Sequence, residues 1–169
     1  MAENMDGIGQ YLTFALGDEE YAISVSMVRE VLEVPRVTKI PRMPPFMRGV
    51  INLRGTVVPV IDLRVKFGMP ETAIEKSTAI IVLEIPTGSE GDERLCVGAF
   101  SDAVNKVITL EESAISPPPR IGTMIDTAFI RGMGQVDGDF VVILDVASIF
   151  SEGDLDAIGN VAENVETLD

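Results

Sequence analysis

Two stretches of this chain align with each other without a gap, and that repeat limits the fold more than any other feature. Phe46-Met47-Arg48-Gly49 lies over Phe129-Ile130-Arg131-Gly132. At the same offset Gly55 lies over Gly138, Val58 over Val141, Asp62 over Asp145 and Phe67 over Phe150. Upstream, Val28-Arg29-Glu30-Val31-Leu32 matches Val104-Asn105-Lys106-Val107-Ile108, and Pro41/Pro44/Pro45 matches Pro117-Pro118-Pro119. Each half reads as hairpin, short turn, strand, proline-broken loop and second hairpin. Five short strands per half predict two small β-barrels of one design.

Local signals agree. Tyr11–Leu16 and Tyr21–Val25 are rich in strand formers and flank the turn Gly17-Asp18-Glu19-Glu20. Ser26 is placed to cap one helical turn through Met27–Glu30, before the apolar strand 31–34. Asp137-Gly138 is a two-residue hairpin signal, so by alignment Arg54-Gly55 is the tip of the first copy's hairpin. Arg54 is then expected to stand out from the surface, either as a solvated turn residue or as a contact. Pro59 cannot donate to a ladder and predicts an edge strand or a bulge. The expected organisation is a loose lead-in over 1–9, interleaved subdomains over about 10–70 and 78–150, and an acidic tail over 151–169. That tail carries six acidic residues and no basic one, and is expected to fray or form a short exposed helix.

Composition removes whole classes of function. The 169 residues carry 13 Lys+Arg against 27 Asp+Glu, a formal net charge of −14. That argues against nucleic acid and anionic lipid as partners, because phosphate binding relies on cationic surface. There is no histidine, which excludes histidine-based triads, His-ligated zinc or haem, and a phosphohistidine role. The single cysteine, Cys96, permits no internal disulfide and fits a reducing cytoplasm. The opening MAENMDGIGQ has no basic n-region and no apolar h-region, so a signal peptide is not expected there, and no apolar run of membrane-spanning length appears in the sequence. No metal site or cofactor motif is visible. Asp62 and Asp145 are read as strand-ending carboxylates that accept backbone N–H bonds. Met43, Met47 and Met124 either fill gaps or line an adaptable surface. Cys96 is read as inert.

The string Gly49-Val50-Ile51-Asn52-Leu53-Arg54-Gly55 through Pro59-Val60-Ile61-Asp62-Leu63-Arg64, with the opening Gln10-Tyr11-Leu12-Thr13-Phe14, resembles the CheW family, the coupling proteins of bacterial chemotaxis arrays. The resemblance runs from about residue 10 to 150. It implies a mainly β fold of two five-stranded Src-homology-like barrels packed around a shared core, with short helical turns. It implies no enzyme activity and no cofactor. The function implied is that of an adaptor between the cytoplasmic tip of a chemoreceptor bundle and the regulatory domain of a CheA-type histidine kinase. The location implied is the cytoplasm, at receptor arrays on the inner face of the membrane, without insertion. The family's receptor groove maps onto Val28, Glu30, Arg54 and Val104. An exposed Arg54 can fork onto a carboxylate, and Glu30 can hold it in place beforehand. The family's kinase contact maps onto Val37, Lys39, Thr56 and Val57, with a second contact at Arg120 and Ile121. Relatives can carry an acidic residue where Arg120 stands. Competing readings are a coupling module of a non-flagellar or surface-motility pathway, an isolated kinase regulatory domain, and a small β-barrel enzyme. The enzyme would need a cluster of convergent polar groups, and none is visible in the sequence.

Overall fold

The computed structural model describes residues 8–86, 94–117 and 127–167, with side chains to residue 161 in the last segment. Among the described residues ten strands follow one another: β1 (Ile8–Leu16), β2 (Glu19–Ser24), β3 (Val28–Glu33), β4 (Met47–Leu53), β5 (Thr56–Ile61), β6 (Ala79–Pro86), β7 (Arg94–Ser101), β8 (Ala103–Glu111), β9 (Ile130–Val136) and β10 (Asp139–Leu144). Short helices α1 (Leu63–Lys66) and α2 (Val146–Ile149) follow β5 and β10, and α3 (Glu152–Thr167) is the last described element.

The strands form two five-stranded sheets, β8-β1-β2-β10-β9 and β3-β6-β7-β5-β4. These orders are the same under the repeat, with β1–β5 corresponding to β6–β10. Neither sheet comes from one half. Each half keeps its last three strands together and lends its first hairpin to the other sheet. Single parallel joints make the exchange: β10 beside β2 (Val142↔Tyr21, Ile143↔Ala22) and β5 beside β7 (Val60↔Gly98, Ile61↔Ala99).

Strand alternation explains the packing, because successive side chains point to opposite faces. In β1, Leu12 and Phe14 enter a core shared by both sheets, while Tyr11 joins Ala22, Ile108, Leu110, Val141 and Ile143 in a cluster drawn from the first sheet alone. In β6, Ile81, Leu83 and Ile85 face the shared core, while Ile80 and Val82 join Ile51, Val58, Val60 and Phe100 in a cluster of the second sheet. The aromatic contacts of the shared core follow the same exchange. Phe46 packs on Phe150 and Phe67 on Phe129, each pair at 5.9 Å between centroids, so the two contacts are equivalent under the repeat, each joining the first position of one half to the second position of the other.

Several local expectations change. The helical turn is Val25–Met27, capped by Ser24 rather than Ser26, since the Ser24 hydroxyl accepts from the Ser26 amide at 3.3 Å. Val28–Glu30 is strand instead, its alternate residues half-buried and exposed as β-branched Val28 and Val31 favour. Pro59 lies in a strand flanked on both sides, between β4 and β7. Its opposite number Val50 gives both backbone groups to Thr38 (2.8 Å each), so the Pro59 nitrogen points away from β4. The pairing to β7 starts only at Val60, so the missing N–H is not needed.

The expected lead-in over 1–9 is shortened, because Ile8 and Gly9 already belong to β1. The acidic C-terminal segment is a docked helix. Leu155, Ile158 and Val161 recur every third residue, Ile158 is fully buried, and all three join the shared core. Lys66 Nζ holds the Asp154 carboxylate at 2.5 Å. Burial alone would raise the Asp154 pKa, but hydrogen bonds from Lys66 and Ser151 outweigh it and hold the group below the ordinary carboxylate range.

Candidate functional site

Two hairpin tips carry exposed charge at equivalent places of the repeat. At the β4–β5 tip, Arg54 and Gly55 both have positive φ (51° and 90°), and Asp137 and Gly138 repeat this at the β9–β10 tip (53° and 88°). This backbone suits the right-handed twist of a two-residue hairpin and favours glycine at the second position. The Asn52 carboxamide oxygen accepts the Gly55 amide at 2.8 Å and pins the first tip. Arg54 is thereby lifted clear, its side chain 67% exposed.

Glu30 belongs to β3, the opposite edge of the same sheet. Its carboxylate nevertheless takes a forked pair of bonds from Arg54, Nη2 to Oε2 at 2.5 Å and Nη1 to Oε1 at 3.3 Å. The two edges of the sheet therefore come together at this point, as the curl around its own apolar cluster requires. The Arg54 hydrogen bond holds the Glu30 carboxyl below its usual range, and the same bond raises the guanidinium. The other sheet has a counterpart of reversed sign. Lys106 on β8 reaches Asp137 at the β9–β10 tip, 3.2 Å away. By the repeat Lys106 stands where Glu30 does and Asp137 where Arg54 does. Charge complementarity across the edges is kept while the exposed tip changes from cationic to anionic.

Val28 pairs with Leu83 across β3–β6, and Val104 with Phe14 across β8–β1. Both valines are half-buried against the shared core. They occupy equivalent places in the two sheets and take no part in the ion pair. Thr56 is exposed and lines, with Arg29, Leu53, Arg54 and Val58, a cleft of about 170 Å³ beside the tip. Val57 follows it, half-buried.

Val37 and Lys39 flank Thr38, whose amide and carbonyl bridge to Val50 and add a single rung outside β4. Val37 packs on the second sheet's own cluster, and Lys39 is exposed. Gly49 makes this approach possible. A Cβ there would overlap the Thr38 carbonyl, and its φ is 144°. Ser116 makes the equivalent bridge to Met133, over Gly132. Arg120 and Ile121 lie outside the described residues, as does Met124.

The feature that residue-by-residue reading misses is the network around Asp62. This carboxylate is fully buried. Oδ1 accepts the Arg64 amide (3.1 Å), capping α1, and the Thr72 hydroxyl (2.8 Å); Oδ2 accepts the Thr72 amide and Arg48 Nη1 (2.8 Å each). Arg48 also donates to the Thr72 carbonyl at 2.9 Å and lies 5.1 Å over the Phe100 ring. The repeat already marks the pairs Arg48/Arg131 and Asp62/Asp145, and that recurrence was the available signal. Cys96 is half-buried, and burial pushes its thiol up, in keeping with an inert side chain.

Among the described residues no helix is long and apolar enough to cross a membrane. The chain matches the family model described as CheW-like domain over residues 10–154. It is 34% identical over 158 residues to the chemotaxis protein CheW of Klebsiella aerogenes, covering 93% of this chain and 91% of that one. It is 39% identical over 116 residues to the chemotaxis protein CheW of Bacillus subtilis, covering 69% of each. Its fold is similar to the crystal structure of the scaffolding protein TtCheW from Thermoanaerobacter tengcongensis, with a TM-score of 0.73 and 36% identity over 86% of this chain and 90% of that one.

Proposed function

This chain belongs to the CheW-like domain family, and from that premise we propose that it is a non-enzymatic adaptor that couples chemoreceptors to a CheA-type histidine kinase in chemotaxis signalling. The observation that carries the reading is the family match over residues 10–154, which includes the exposed Arg54–Glu30 tip. The tip is the receptor-facing element of this proposal. Arg54 is held by Glu30 before any partner arrives, which reduces the ordering cost of binding, and its remaining donors face solvent. A receptor helix offering a carboxylate or carbonyl would take them, while Val28 and Val104 supply apolar contact on either side of the shared core. The kinase-facing element is the end of the second sheet at Val37, Lys39, Thr56 and Val57, with Arg120 and Ile121 as the second contact. The working location is the cytoplasmic face of a receptor array.

Calorimetric titration of the full chain into the regulatory domain of its cognate CheA-type kinase, at physiological salt, tests the reading. Saturable one-to-one binding is expected. Absence of binding between two folded partners would overturn the kinase-coupling role.

A further inference from the structure

The repeat places two equivalent clefts in the molecule, and among the described residues the chain itself fills the first alone. In the first, the strand-ending Asp62 and the Arg48 beside it grip the segment that follows α1. Thr72 gives its amide and hydroxyl to Asp62 and takes Arg48 on its carbonyl. An extended stretch of peptide is thus read by three hydrogen bonds to two side chains.

The second cleft has the same framework. The Asp145 amide donates to the Phe129 carbonyl (2.8 Å) as the Asp62 amide does to that of Phe46 (2.7 Å). Arg131 lies over the Tyr11 ring at 5.9 Å, as Arg48 lies over Phe100. Strand register puts Gly98 and Ala22 at equivalent places, beside Val60 and Ile143, so Phe100 corresponds to Ser24. Tyr11 pairs with Ser24, as Ile80 pairs with Phe100. Here the small serine leaves space. After α2 the chain turns into α3, which docks on Lys66 and the shared core, so among the described residues no strap returns to Asp145. What remains is a cleft of about 220 Å³ bounded by Ser24, Ser26, Met27, Arg131, Asp145 and Ala147.

Two of its polar side chains keep capacity. Asp145 accepts one side-chain bond, from Ser148 at 2.8 Å, and makes no capping bond to α2. An ionised carboxylate has about four acceptor sites, so most of them are open. Arg131 meets Glu112 at 3.2 Å on a partly exposed edge, from which a better acceptor can draw it.

The geometry points to this cleft as a docking site for an extended segment of a partner protein carrying threonine or serine, gripped by Asp145 and Arg131 as Asp62 and Arg48 grip Thr72. The site is independent of the coupling role, since the kinase titration can succeed or fail whatever occupies it.

The test uses a capped peptide with this chain's own sequence from Gly68 to Lys76, titrated into the isotope-labelled full chain and followed by NMR. Saturable shifts confined to the amides of Ser24, Ser26 and Asp145–Ala147 are expected. The same peptide with Thr72→Val should bind about tenfold more weakly or worse, the loss of one strong hydrogen bond. D145N in the full chain should reduce affinity similarly while its melting stays close to that of the parent. Failure of the peptide to shift those amides, or equal binding by the Thr72→Val peptide, overturns the inference. Concentration-dependent shifts at the same amides without peptide would place a second copy of the chain there and would also overturn it.

Discussion

Asp62 and Asp145 are the same residue of the repeat, yet their removal should differ sharply in effect. In D62A, four acceptor contacts disappear from a site with no access to water. The Thr72 amide and hydroxyl are left buried without that acceptor, and Arg48, whose side chain is 18% exposed, keeps a charge without its main partner. Breaking one side of a buried, hydrogen-bonded charge pair costs about 3–5 kcal/mol. In D145A one hydroxyl bond from Ser148 is lost, worth roughly 0.5–1.5 kcal/mol. Urea unfolding of the two variants measures the difference. With a slope of about 1–3 kcal/mol per M, D62A should lose at least about 1 M in midpoint, and D145A much less. D62N separates hydrogen bonding from volume. Oδ1 can still serve Arg64 and Thr72, but the new NH₂ would face the Thr72 amide and Arg48, so D62N should recover little of the loss. If D62A and D145A unfold within about 1 kcal/mol of each other, the account of Asp62 as a buried hub is wrong.

Three further outcomes are expected. R54E should melt as the parent does, because the tip is solvated, yet lose receptor coupling; E30K combined with R54E should restore part of that coupling, and a cleanly unfolded R54E would show the arginine to be structural instead. G49A should destabilise by roughly 1–3 kcal/mol through its positive φ and the overlap with the Thr38 carbonyl, whereas a parent-like urea midpoint would mean that the Thr38 rung moves freely. The docking of α3 should also depend on acid. The folded pKa of Asp154 is depressed below the unfolded value near 3.8, so its stabilising contribution is present above that pH and lost as pH falls through the lower folded value. Far-UV circular dichroism and amide exchange of α3 should stay constant through the ordinary carboxylate range and change beneath it; K66M, which removes the partner, should shift that transition upward.

Much of this architecture is legible in the chain because turn chemistry and alternation are local. Asp137-Gly138 announces its hairpin, the offset of the repeat transfers that tip to Arg54-Gly55, and alternating apolar residues mark nearly every strand. The exchange of first hairpins is not local. Nothing in Tyr11–Ser24 says that its neighbours will be Val142 and Ile143 from the far half rather than Val60 and Ile61, since both pairs offer the same β-branched surface. The pattern of helix α3 is faint because Gly153, Gly159 and five acidic residues dilute it, although Leu155, Ile158 and Val161 hold one face. The Glu30–Arg54 pair followed from the resemblance to a family, while its charge-reversed twin, Lys106–Asp137, needed the curl of the sheet to bring opposite edges together.

The shared hairpins also set an order of events during synthesis. The sheet that holds β3, β4 and β5 is complete once β6 and β7 emerge from the ribosome. The sheet begun by β1 and β2 waits for β8, which starts only at Ala103, and is not finished until Leu144. At roughly 5–20 residues per second, the first hairpin to be made spends several seconds with Tyr11, Phe14, Tyr21 and Ile23 unsheltered. The nascent chain is therefore most vulnerable at the hairpin of β1 and β2. A ribosome stalled after β7 has emerged and before β8 would leave one sheet complete and the other a bare hairpin, a template for edge-to-edge association with its neighbours on the same message.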